Sequence, residues 1–94
     1  MRRLNTYPFT EDLALPLEKL IKPLQLTHNI SDDVATKIIV KVLDERTSRV
    51  GSYPFDKKPT MEVSNGEIFI YIDKMDWQFN IDNGSLIGSG MFLL

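Results

Sequence analysis

The chain of 94 residues contains no cysteine and a single histidine, His28. The first absence excludes a disulfide framework, a thiolate metal site and a thiol nucleophile, and the second excludes a histidine cluster. No run approaches the roughly 20 apolar residues that span a bilayer, and Met1-Arg2-Arg3 is not followed by the apolar stretch of a signal peptide. A cytoplasmic protein is the expectation. Positive charge is also unevenly withheld, because no Lys or Arg occurs after Lys74. Residues 1 to 50 hold eight Lys or Arg against seven Asp or Glu, whereas residues 51 to 94 hold three against six. The C-terminal half is thus the acidic half, ill suited to a phosphate backbone whose affinity comes mainly from Lys and Arg.

Catalytic signatures are missing too. There is no P-loop, no G-x-G-x-x-G and no H-E-x-x-H, and Gly88-Ser89-Gly90 falls within a predicted strand rather than at a strand-to-helix turn. Asp73, Asp76 and Asp82 lack the spacing of a calcium loop, with its glycine and distal glutamate. The expectation is a protein that is not an enzyme, with no catalytic residue, no metal ligand and no cofactor.

What is present suits one small globular domain. Hydrophobic residues make up 43% of the chain and charged residues 26%, and a chain of this length buries roughly 60 to 70% of its unfolded surface on folding. The predicted class is α+β: two N-terminal helices packed on one face of a four-stranded antiparallel β-meander. The single domain 1–94 divides into a helical half at about 10–46, a loop at 47–59 and the meander at 60–94.

The meander is the best-specified part. Asn65-Gly66 and Asn83-Gly84 each suit a two-residue hairpin turn, which needs positive φ at both central residues. The first pairs Ser64 with Glu67, Val63 with Ile68, Glu62 with Phe69 and Thr60 with Tyr71. The second pairs Asp82 with Ser85, Ile81 with Leu86, Phe79 with Gly88, Trp77 with Gly90 and Met75 with Phe92. That register sets two glycines opposite two large aromatics. The middle turn, near Asp73 to Asp76, holds two residues or four, and either length preserves the faces. One face then carries Met61, Val63, Ile68, Ile70, Ile72, Trp77, Phe79, Ile81, Leu86 and Phe92. The outer face carries Thr60, Glu62, Ser64, Glu67, Phe69, Tyr71, Asp76, Gln78, Asn80, Asp82, Ser85, Ile87, Ser89 and Met91.

Upstream, Met1 to Phe9 reads as an irregular arm and Thr10 as a helix cap followed by Glu11 and Asp12. Leu13, Leu17, Leu20, Ile21 and Leu24 recur at helical spacing. Pro16 is expected to kink that helix or open a second one, and Pro23 to stop it, leaving Leu26 to Ile30 as a connection. Ser31 caps the second helix, with Asp32 and Asp33 in its first turn and Arg46 near its end. Residues 37–42 are rich in β-branched side chains and also suit a strand. Tyr7-Pro8-Phe9 and Tyr53-Pro54-Phe55 echo one another, each fit to anchor an irregular segment through its aromatics.

Two surfaces bear on function. On the outer face, Phe69 and Tyr71 stand at i and i+2, flanked by Glu62 and Gln78 and by Thr60 and Asp76. With Asp82 these residues form a candidate site for a protein partner with a basic surface, in the manner of an inhibitor, an immunity protein, or a phage or bacterial accessory protein. Against this stands a simpler account, in which Val50, Tyr53 and Phe55 fold over Phe69 and Tyr71 as a small second core. The other surface is helical: residues 17–49 resemble the layout of a helix-turn-helix DNA-binding regulator, although Asp32 and Asp33 would open its recognition helix. Finally, a free last strand would pair with a second copy into a symmetric dimer.

Overall fold

The structure, a computed structural model, describes residues 11–51 and 55–91. Helices α1 (Glu11–His28) and α2 (Asp32–Val50) precede strands β1 (Thr60–Ser64), β2 (Glu67–Ile72), β3 (Met75–Asn80) and β4 (Leu86–Met91). The strands form one antiparallel sheet in the order β1-β2-β3-β4, so the α+β meander is the fold. The expectations placed on Met1 to Thr10, Tyr53, Pro54 and Phe92 to Leu94 lie outside the described residues.

The alternation of residues in β2 and β3 determines which face is buried. Ile68, Ile70, Ile72, Trp77 and Phe79 are fully buried, while their neighbours in sequence are half-buried on the opposite side. Leu17 and Ile21 of α1 and Ile38, Ile39, Val42 and Leu43 of α2 meet them in a single core. Each fully buried side chain of this size contributes about 1.5 to 3 kcal/mol. α2 also grips the sheet through polar contacts. The buried Trp77 indole donates to Glu45 Oε1 at 3.2 Å, and Arg49 donates to Ser89 Oγ on β4 at 3.0 Å.

α1 runs through both prolines, contrary to the expectation that Pro23 would stop it. A proline inside a helix costs about 3 kcal/mol, but the buried side of α1 at Ala14, Leu17 and Ile21 is unbroken across Pro16 and up to Pro23. Pro23 itself is exposed, on the solvent side of the helix. The helix ends instead at Asn29, in the left-handed region at φ 56. There the Ile30 N–H reaches back to the Gln25 carbonyl at 3.2 Å, a Schellman closure with the buried Ile30 as its apolar contact. His28 is therefore an exposed residue of the last helical turn, 2.8 Å from Thr27 Oγ1.

Ser31 caps α2 by accepting from the Val34 N–H at 3.2 Å, and 37–42 is helix. The helix extends four residues past Arg46 to Val50, where Gly51 at φ 82 closes it, so the predicted start of the loop at Thr47 is corrected. Arg46 is buried near the end of the helix, with its guanidinium 4.6 Å above the Phe55 ring and 3.6 Å from Asp73. The Asp73 carboxylate also accepts the N–H groups of Asp56 and Lys57 at 3.3 and 2.9 Å. Asp73 thus turns the chain at φ 53 in a two-residue β2–β3 turn and ties down the loop that leads into β1.

The β3–β4 register departs from the one expected. Asn83-Gly84 is not a two-residue turn: Ile81 to Gly84 form a four-residue loop closed by Asn80 N–H to Ser85 O at 2.9 Å and Gly84 N–H to Asn80 O at 2.8 Å. The side chain of Asn80 directs this, since its Oδ1 accepts the N–H groups of Asp82 and Asn83 and so holds the chain in a local turn. A bulge at Ile87 follows, because Phe79 faces Leu86 whereas Gln78 faces Gly88. The two glycines therefore stand opposite Gln78 and Asp76, not opposite Phe79 and Trp77, and Met75 pairs with Met91. Ser89 and Met91, expected on the outer face, lie on the helix side.

Candidate functional site

The outer face of the sheet is built in cross-strand rows. One row reads Thr60, Tyr71, Asp76, Gly90; the next reads Glu62, Phe69, Gln78, Gly88; the third pairs Ser64, Glu67 and Asn80. The flanks anticipated for Phe69 and Tyr71 are thus the ones found. No strand contributes a Lys or Arg to this surface, whereas Glu62, Glu67 and Asp76 all lie on it.

Diagonal hydrogen bonds order the side chains around Phe69. Tyr71 donates its hydroxyl to Glu62 Oε1 at 2.8 Å, and Gln78 donates to Glu67 Oε1 at 2.7 Å. Each joins a residue to the diagonal neighbour on the next strand, within reach of long side chains. The bond to Glu62 raises the Tyr71 pKa, with burial and the charges of Glu62 and Asp76 acting in the same direction. The phenol therefore stays a neutral donor, and the carboxylates of Glu62, Glu67 and Asp76 give the face its negative potential.

Five of the six anticipated site residues, Glu62, Phe69, Tyr71, Asp76 and Gln78, share this surface. Asp82 does not: with the hairpin loop lengthened it sits in the exposed β3–β4 turn, off the sheet. Glu67, two residues before Phe69, lies on the same face and accepts from Gln78, so it adds a carboxylate to the surface beyond those anticipated. Gly88 and Gly90 are the other addition. The place of a Gly90 Cβ is 2.8 Å from Asp76 Oδ1, so the carboxylate lies over bare backbone at the sheet edge. The proposed cover of Val50, Tyr53 and Phe55 does not form from its described members: Val50 is exposed and Phe55 packs beneath Arg46 against the core.

The helical surface has a different character. Lys37 reaches the Asn83 carbonyl at 3.4 Å, and Lys41 and Arg49 lie 3.8 and 3.9 Å from Glu45. With Arg46 held by Asp73, each basic residue of α2 has a partner within the protein. A groove of about 500 Å³ between α2 and β4 is lined by Lys37 and Lys41 but equally by Asp33 and Asp44, which balances its charge. Among the described residues no three Asp, Glu or His side chains converge as metal ligands would, and no helix is long and apolar enough to cross a membrane.

No known protein family, curated protein or solved structure matches this chain.

Proposed function

We propose that the protein acts by binding rather than by catalysis, its outer sheet face occluding a basic surface of a partner protein as an inhibitor or immunity protein does. The observation that carries this reading is a sheet face turned away from the helices, on which an aromatic pair is framed by Glu62, Glu67 and Asp76 with no basic residue among the strands. Aromatic anchors concentrate binding energy, while charges around them steer encounter. The cross-strand bonds of Tyr71 and Gln78 support it further, since side chains already ordered in the free protein lose less entropy on binding.

The test is capture of partners on the immobilised protein and on three variants. Tyr71→Ala is expected to speed dissociation of a captured protein, and Asp76→Asn to slow association and weaken its salt dependence. Lys37→Glu combined with Lys41→Glu is expected to leave capture unchanged. Loss of binding in that helix variant alone, together with salt-sensitive retention of the parent on DNA, would replace this reading with that of a DNA-binding regulator.

A further inference from the structure

We infer that the partner contributes an extended segment of alternating basic and apolar residues, which docks as a fifth strand on the free edge of β4 and is selected by Asp76. The inference rests on the binding role proposed for the outer face and specifies how a partner meets it. Among the described residues β4 is the last strand of the sheet, and no strand pairs with its outer edge. Natural edge strands are commonly guarded by charged residues or proline, yet β4 has no Lys, Arg, Asp, Glu or Pro, whereas β1 at the opposite edge carries Glu62. The bulge at Ile87 disturbs one end of β4 only, and regular pairing resumes from Gly88 to Met91.

The backbone of that segment presents the required groups. Ile72 and Met75 flank a two-residue turn and so exchange hydrogen bonds with each other. Counting along β3, Asp76 and Gln78 direct their backbone groups toward β4, as Asn80 does toward Ser85. Their partners Gly90 and Gly88 point inward in turn. Ser89 and Met91 therefore turn their N–H and C=O groups to the open edge.

The side chains select the occupant. Strands lie about 4.8 Å apart, so an added strand lies about 10 Å from β3. Asp76 leans over Gly90 and closes part of that gap, and an Arg or Lys of the incoming strand closes the rest across backbone that has no side chain in the way. On the helix side the added strand meets Met91, which is 44% exposed, and an apolar residue suits that position. A second copy of the chain fits less well. Antiparallel pairing of two β4 strands about Ser89 would set Gly90 against Gly88 of the second copy, in a row with its Gln78, and β4 has no Lys or Arg to meet Asp76.

The experiment is titration of the isotope-labelled protein with a capped peptide of alternating arginine and valine, read by amide chemical shift and hydrogen exchange. The Ser89 and Met91 amides are expected to shift and gain protection. Replacing each valine of the peptide by proline keeps its charge and removes strand pairing, and is expected to weaken binding about tenfold or more. Asp76→Asn is expected to weaken the arginine-valine peptide roughly two- to fivefold, while a glutamate-valine peptide does not bind. Equal binding of the proline peptide, with shifts at Phe69 and Tyr71 but none at Ser89 and Met91, would overturn strand docking and leave the acidic-face reading standing. A peptide that perturbs neither region would overturn both. Protection of Ser89 and Met91 that rises with protein concentration alone would assign the edge to a second copy and overturn the basic segment.

Discussion

The same dipeptide, Asn-Gly, occurs at two turns of this sheet and makes two different structures. At Asn65-Gly66 both residues have positive φ, 52 and 74, and the turn is the tight two-residue kind. At Asn83-Gly84 only the glycine does, at φ 72, and the dipeptide ends a four-residue loop. The surroundings account for the difference. Nothing lies within 4 Å of where a Gly66 Cβ would be, whereas a Gly84 Cβ would stand 3.2 Å from Val34 Cγ1 and 3.3 Å from the Val34 carbonyl oxygen. The first turn is free to follow its local preference. The second is pressed against α2, and Asn80 captures the N–H groups that follow it.

The largest expected effect comes from removing the core that holds the second hairpin against α2. Trp77→Ala should lose about 3 to 5 kcal/mol of stability, the cost of truncating a large buried aromatic. Denaturant unfolding measures it, and a near-native midpoint would mean that the inner face does not hold the register. The next effect separates the turns directly. Gly84→Ala and Gly66→Ala both meet left-handed strain of about 1 to 2 kcal/mol, but only Gly84→Ala adds overpacking against Val34, about 1 to 3 kcal/mol more. Equal losses in the two variants would break the comparison.

Asn80→Ala removes the side-chain acceptor that shapes the longer loop and should cost about 1 kcal/mol, largely restored in Asn80→Asp. A loss confined to Asn80→Ala, with amide shifts spread from Asp82 to Ile87, would tie the bulge to that one side chain. The smallest effect belongs to the first hairpin, where Tyr71 is bonded to Glu62. The folded phenol titrates above the ordinary tyrosine value because of that bond. Its contribution to stability is thus present below the unfolded tyrosine pKa and is lost as pH rises through the raised folded value. In Glu62→Gln the Tyr71 titration, followed by NMR, should move back down. An unchanged titration would mean that the cross-strand bond does not form in solution.

Most of the site was legible because it depends on parity and on the first hairpin. Once Asn65-Gly66 sets the register, Glu62, Phe69 and Tyr71 fall on one face. An even middle turn carries Asp76 and Gln78 onto the same side. Asp82 was misplaced by the extra loop residues, and Ser89 and Met91 by the bulge, which changes the parity of everything beyond it. The Asn80-Ile81-Asp82-Asn83-Gly84 sequence did hold a signal, since Asn is a strong local turn former, but two candidate turns competed within it.

The sequence by itself determined the elements whose cause spans only a few residues: the Ser31 cap, the tight turn at Asn65-Gly66, and the alternation that separates Ile68, Ile70, Ile72, Trp77 and Phe79 from Phe69, Tyr71, Asp76 and Gln78. Dihedral preference and side-chain period act within that range and need no distant partner. Only the tertiary structure decided that α1 continues through Pro16 and Pro23, that α2 reaches Gly51, and that the last hairpin takes a longer loop and a bulge. Local preferences there are worth about 1 to 3 kcal/mol, and several buried side chains at about 1.5 to 3 kcal/mol each outweigh them.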